Sequence, residues 1–98
     1  MDWTMVNNAE GPLHRVQTII YVFRIRYQCD PVTAATRLVK EAPENELRDE
    51  IMRNMRTELA TPSGDLGMGT SFDDADSRTY LSDLISTYDQ LLRSENDD

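Results

Sequence analysis

The 98-residue chain has one cysteine, one histidine and no long apolar run. Its single cysteine, Cys29, excludes an internal disulfide and any zinc or iron–sulfur site built from several cysteines of one chain. The longest uncharged apolar run, 19–23, is far shorter than the roughly 20 residues needed to cross a bilayer. The amino terminus carries Asp2 and Glu10 and no early Lys or Arg, unlike the basic start of a secretory signal. These absences predict a cytoplasmic protein without a membrane span.

The sequence also has few of the parts from which an active site is built. Any catalytic triad would have to use His14, and no serine lies in a Gly-x-Ser-x-Gly motif. The glycine-rich residues 64–69 are not followed by the Gly-Lys-Ser/Thr sequence that completes a phosphate-binding loop. The acidic residues of 73–76 do not have the spacing of a calcium-binding EF-hand loop. We therefore expect no enzymatic activity, no cofactor and no metal ion, and we assign His14 no role.

The first half of the chain predicts three helices. Pro12 fits a first helical turn, and apolar residues then recur at intervals of three and four: Leu13, Val16, Ile20, Phe23 and Tyr27. Residues 19–27 are rich in β-branched and aromatic side chains, and 23–27 alternate as a strand would, so a strand over 19–27 is an alternative. We favour a helix because the helical spacing covers a longer stretch. Asp30 and Pro31 are a helix cap and a first helical residue. They predict a second helix over 31–41 that turns four apolar residues inward: Val32, Ala35, Leu38 and Val39.

The remaining helices are predicted on either side of a glycine-rich segment. The third, over 44–60, has Leu47, Ile51 and Met55 four apart. Residues 62–72 contain proline and three glycines, so we predict a flexible loop there. The aspartates that follow are typical of a helix start, and the last helix has the strongest apolar pattern: Leu81, Leu84, Ile85, Tyr88, Leu91 and Leu92.

These segments predict one all-α domain over 1–98, a small antiparallel four-helix bundle with a Gly-rich loop before the last helix. We expect 1–11 to be a loose arm whose Trp3 and Met5 pack back on the body. We expect 94–98 to be a disordered acidic tail.

Charge is distributed unevenly along the chain. The net charge is −8. Residues 1–60 hold nine acidic and eight basic side chains, a balance of −1, whereas 61–98 hold nine and two, a balance of −7. The second part therefore repels phosphate and attracts a basic partner.

This asymmetry favours a small acidic protein-binding module, such as an inhibitor, immunity protein or antitoxin that covers a basic surface of another protein. The candidate partner-binding residues share the acidic end of the chain: Asp65, Asp73, Asp74, Asp76, Tyr80, Asp83, Tyr88 and Asp89.

Two alternatives stay open. The first is a helix-turn-helix DNA-binding regulator that uses helices 31–41 and 44–60. The basic residues of these helices are Arg37, Lys40, Arg48, Arg53 and Arg56. The acidic residues on the second of these helices argue against nucleic acid as a partner. The other alternative is a self-assembling adaptor or structural subunit, for example a homodimer.

Overall fold

The computed structural model describes residues 3–42, 45–67 and 73–96. The described residues contain helices and no strand. They form α1 (Trp3–Asn7), α2 (Pro12–Ile20), a π-helical segment (Tyr21–Arg26), α3 (Pro31–Glu41), α4 (Asn45–Ala60) and α5 (Asp74–Asn96). The all-α prediction is thus confirmed, and the strand alternative for 19–27 is wrong.

The helices pack around one apolar cluster. α3 packs most extensively on α5, and α2 packs on α4, which also contacts α5. Every long helix contributes side chains that are almost completely buried, including Ile19, Leu38, Met55 and Leu84. Burying side chains of this size is the main source of stability in a small domain.

The predicted start of α3 is confirmed in atomic detail. The Asp30 carboxylate accepts a hydrogen bond from the Thr33 backbone N–H at 2.7 Å, and Pro31 is the first helical residue. At the other end, Ala42 has an extended backbone (ψ 126°), as expected for a residue that precedes proline. Pro43 itself and Glu44 lie outside the described residues.

One inward-facing residue of α3 is predicted wrongly. Val32 is 57% exposed. The buried stripe of the helix is formed by Ala34, Ala35 and Leu38, and Val32 lies to one side of that stripe. The sequence pattern therefore placed the apolar face of α3 correctly but made it too wide.

The π-helical segment is the main departure from the predicted first helix. The Tyr27 N–H donates to the Val22 carbonyl at 3.0 Å, a bond that spans five residues rather than four. Phe23, predicted to face the core, is fully buried, so the wider turn displaces the expected face only after this residue. Tyr27, predicted to face the core, is 36% exposed. Cys29 is buried in the connection to α3.

The two ends of the chain also differ from expectation. The arm contains the short helix α1, whose Val6 is fully buried, and Trp3 meets Phe23 edge to face at 6.4 Å between ring centroids. Trp3 thus packs on the body as predicted, whereas Met5 is 41% exposed. α5 continues through Asn96, so part of the expected tail is helical. Residues 97 and 98 lie outside the described residues.

The glycine-rich segment is described only as far as Gly67. Its backbone is held by side chains of neighbouring helices: Gln17 donates to the Asp65 carbonyl, and Asp74 accepts from the Leu66 N–H. Leu66 is buried in the core. Residues 68–72 lie outside the described residues, and the flexibility of the loop stays a prediction.

Candidate functional site

Three of the predicted partner-binding aspartates lie exposed at the amino-terminal half of α5. Asp76, Thr79 and Asp83 are three and four residues apart and therefore share one side of the helix. Asp73 caps that helix, since its carboxylate accepts the Asp76 N–H at 2.7 Å. We call Asp73, Asp76, Thr79 and Asp83 the acidic face. Across the described ranges, no ion pair involves Asp76 or Asp83, so both charges are directed to solvent.

The other predicted aspartates are engaged within the chain. Asp74 receives the Nε–H of Arg78 at 2.8 Å, and Asp89 forms a two-pronged ion pair with Arg56. The Asp65 carboxylate accepts the Gly67 N–H at 2.8 Å. Two of these charges are therefore partly neutralised, and the acidic face carries most of the outward charge among the predicted residues.

The two predicted tyrosines lie in the core. Tyr80 and Tyr88 are 6% and 3% exposed. The Tyr80 hydroxyl donates to the Cys29 carbonyl at 2.8 Å, which joins α5 to the turn before α3. Burial raises the pKa of both phenols. Their position fits a packing role and removes them from the surface that a partner would touch.

A partly buried ion cluster holds the start of α5 in place. The Arg78 guanidinium donates to the Glu58 carboxylate at 3.3 Å, to the Glu58 carbonyl at 3.0 Å and to the Gly64 carbonyl at 2.8 Å. With its bond to Asp74, it connects the end of α4, the following loop and the first turn of α5. We call Glu58, Ser63, Asp74 and Arg78 the ion clamp. It fixes the helix turn that presents the acidic face.

The electrostatics of the ion clamp are set by competing effects. Glu58 is 4% exposed, and this burial on its own would raise the pKa of its carboxyl. Hydrogen bonds from the Ser63 hydroxyl and N–H and from Arg78 outweigh burial and hold that pKa below its ordinary value of 4.5. The hydrogen bond from Arg78 likewise lowers the pKa of Asp74. Both carboxyls are therefore charged at neutral pH.

A second exposed surface was not foreseen from the sequence. Guanidinium groups of Arg26 and Arg37 lie 6.0 Å and 5.3 Å from the centroid of the Tyr27 ring, within reach of cation–π attraction. Arg26 also donates to the Met5 sulfur at 3.6 Å. We call Met5, Arg26, Tyr27 and Arg37 the arginine–tyrosine strip. Met5, Arg26 and Arg37 come from three different elements, and Tyr27 directly follows the π-helical segment. Their signal in the sequence is an excess of Arg over Lys.

A cavity of about 640 Å³ opens beside the π-helical segment. Its walls include Arg24, whose guanidinium lies 5.2 Å from the centroid of the Tyr80 ring, and Gln28. Gln28 has a φ of 52°, a left-handed conformation that costs energy for a residue with a side chain. π-helical turns and strained residues often occur at functional sites. Cys29, Asp30 and Tyr80 also line this cavity.

Three of the basic residues considered for DNA binding make contacts within the chain. Arg56 pairs with Asp89, and Arg37 pairs with Glu41 at 3.6 Å. The guanidinium of Arg48 donates to the Val39 carbonyl at 3.2 Å. Lys40 and Arg53 are exposed, and none of the ion pairs among the described residues involves them, so these contacts occupy only part of the positive charge of α3 and α4.

The His14 imidazole accepts a hydrogen bond from the Glu10 N–H at 3.0 Å on the surface. The part of the chain that the structure describes holds no group of three or more His, Cys, Asp or Glu side chains arranged to bind a metal ion. None of its helices combines the length and the apolar character that a membrane span requires.

Comparison with known proteins assigns no family: no family model, no curated protein and no solved structure matches this chain.

Proposed function

We propose that this chain is a protein-binding module that acts by stoichiometric binding, with the acidic face of α5 covering a basic surface of another protein. The observation that carries the proposal is the exposure of Asp76 and Asp83 on one side of a helix whose first turn is fixed by the ion clamp. In this proposal the chain catalyses no reaction, and it belongs with inhibitors, immunity proteins and antitoxins. We also propose that its four longer helices form an antiparallel bundle.

Rigid placement makes these carboxylates effective in recognition. Asp76 and Asp83 are two helical turns apart, about 10 Å along the axis at 1.5 Å per residue. Charges held at a fixed spacing select partners whose basic groups have the same spacing. The net charge of −8 adds long-range attraction, which accelerates association with a basic surface.

Affinity capture with three forms of the full chain tests the proposal. The first bait is the wild type, the second carries Asp76→Asn and Asp83→Asn, and the third carries Glu46→Gln and Asp49→Asn. Glu46 and Asp49 are exposed on α4, so the second and third baits lose the same charge at different surfaces. Proteins retained from an extract of the source cells are identified by mass spectrometry.

We expect a basic protein in stoichiometric amount on the wild type and on the α4 variant, and its loss from the α5 variant. Equal retention on all three baits would show that α5 is not the contact surface. Equal losses on both variants would mean that net charge alone attracts the partner. Absence of any stoichiometric partner on the wild type would contradict the proposal itself.

A further inference from the structure

The arginine–tyrosine strip has the composition and exposure of a docking surface. Met5 and Tyr27 are two of the four large apolar residues that are exposed in the part of the chain that the structure describes, at 41% and 36%. Arg, Tyr and Met are the residues that protein interfaces use most often beyond their frequency on other surfaces. Stacking of Arg26 and Arg37 on the Tyr27 ring restrains all three side chains before any partner arrives, which lowers the entropic cost of binding.

The strip is positively charged, so the surface that binds it should be acidic. The strip contains two guanidiniums, of which Arg37 shares its charge with Glu41 across a 3.6 Å contact that is half exposed. An ion pair of this kind at the surface is weak and exchanges readily with another carboxylate. An incoming helix with carboxylates at a matching separation would therefore satisfy both guanidiniums.

This same chain carries a pair of carboxylates whose spacing falls within the range open to the two guanidiniums. Since the guanidiniums lie 6.0 Å and 5.3 Å from one ring centroid, their carbon atoms are at most about 11 Å apart. Asp76 and Asp83 are seven residues apart, so their backbone positions are about 10 Å apart along the axis of α5. Thr79, which lies between them on the acidic face, is exposed and small enough to leave room for the Tyr27 ring.

We infer that the arginine–tyrosine strip binds the acidic face of α5 from a second copy of this chain. Both complementary surfaces are exposed in one molecule, so two copies related by a two-fold axis can exchange the same contact twice. Such an exchange closes as a dimer and gives four guanidinium–carboxylate pairs around two tyrosines. Because the dimer uses the face that the proposed function assigns to a basic partner, the partner and the second copy compete for it.

Sedimentation equilibrium with charge-reversed variants tests this dimer. The strip variant carries Arg26→Glu and Arg37→Glu, and the face variant carries Asp76→Arg and Asp83→Arg. In a homodimer of either variant, like charges face each other across the contact. We therefore expect each variant to dimerise more than about tenfold more weakly than the wild type. In an equimolar mixture, one contact of the mixed dimer has reversed polarity and the other keeps the wild-type polarity, so both are attractive and we expect a mixed dimer of wild-type affinity. Far-ultraviolet dichroism verifies that each variant is folded.

A variant that carries Glu46→Arg and Asp49→Arg on α4 is the matched control, and we expect it to dimerise within about twofold of the wild type. Wild-type protein that remains monomeric up to about 100 µM would overturn the inference, as would two variants that stay monomeric when mixed. Neither result affects capture of a basic partner by Asp76 and Asp83. Conversely, if the chain dimerises but retains no stoichiometric partner in the affinity capture, the inference stands and the proposed function is wrong.

Discussion

Replacing Arg78 by methionine removes the centre of the ion clamp while keeping most of its apolar volume. The change leaves Glu58, 4% exposed, without its cationic partner and deprives the Gly64 carbonyl of its donor. Breaking a buried pair by removing one partner typically costs about 3 to 5 kcal/mol. The Arg78 side chain is 18% exposed, which allows some compensation by water. We therefore expect a loss of about 3 kcal/mol in the free energy of unfolding.

Urea denaturation at neutral pH, followed by far-ultraviolet dichroism, measures this loss. With an m-value of about 1.5 to 2 kcal/mol/M, the midpoint falls by roughly 1.5 to 2 M. Arg93→Met, an exposed arginine on the same helix, is the control and costs at most about 1 kcal/mol. Adding Glu58→Gln to the Arg78 variant should recover part of the stability, because the uncompensated charge is then gone.

The stability difference between the wild type and the Arg78→Met protein should depend on pH through the pKa of Glu58. In the wild type the pKa of Glu58 is lowered, so its stabilisation is present above its ordinary pKa of 4.5 and is lost as the pH falls through the folded-state pKa. In the Arg78→Met protein the pKa of Glu58 rises, and protonation relieves the penalty. The difference in stability between wild type and variant should therefore shrink in acid. A loss below about 1 kcal/mol at neutral pH, or a difference that grows in acid, would refute the role assigned to the ion clamp.

Three further predictions concern single residues. Gln28→Gly relieves the left-handed conformation and should stabilise the protein by about 0.5 to 1 kcal/mol in urea; a loss would mean that the Gln28 side chain makes a needed contact. Tyr80→Phe should lower the free energy of unfolding by about 1 kcal/mol. In an absorbance titration it should also remove one tyrosine whose pKa lies above the ordinary value. An unchanged step at high pH would contradict burial of Tyr80 as the cause of its raised pKa. Leu38→Ala should cost about 2 to 5 kcal/mol and Val32→Ala less than about 0.5, and similar losses would show that the burial of α3 is misjudged.

The parts of the fold that depend on neighbouring residues were predictable from the sequence. Asp30 and Pro31 define the start of α3 because capping and a fixed φ act within one turn. The bounds of α4 and the apolar side of α5 follow from spacing along a single helix. The π-helical segment was missed because spacing arguments assume 3.6 residues per turn, and nothing local in 21–26 marks the change.

The candidate surfaces depend on contacts that no local pattern reports. Arg78 and Glu58 are twenty residues apart in the chain, and the Tyr80 hydroxyl reaches a carbonyl fifty-one residues away. The arginine–tyrosine strip combines α1, the π-helical segment and α3. Charge counting found the acidic end of the chain, but only the three-dimensional contacts separate Asp76 and Asp83, which face solvent, from Asp74 and Asp89, which are paired.

The most direct test of the central claim is the association rate constant between the captured partner and three forms of the chain at low and physiological salt. We expect the rate for the wild type and the Glu46→Gln/Asp49→Asn control to fall by about tenfold or more as salt is added, since electrostatic attraction is screened. The Asp76→Asn/Asp83→Asn form should associate slowly at both salt concentrations. Identical rates and salt dependences for that form and the control would contradict binding through the acidic face of α5.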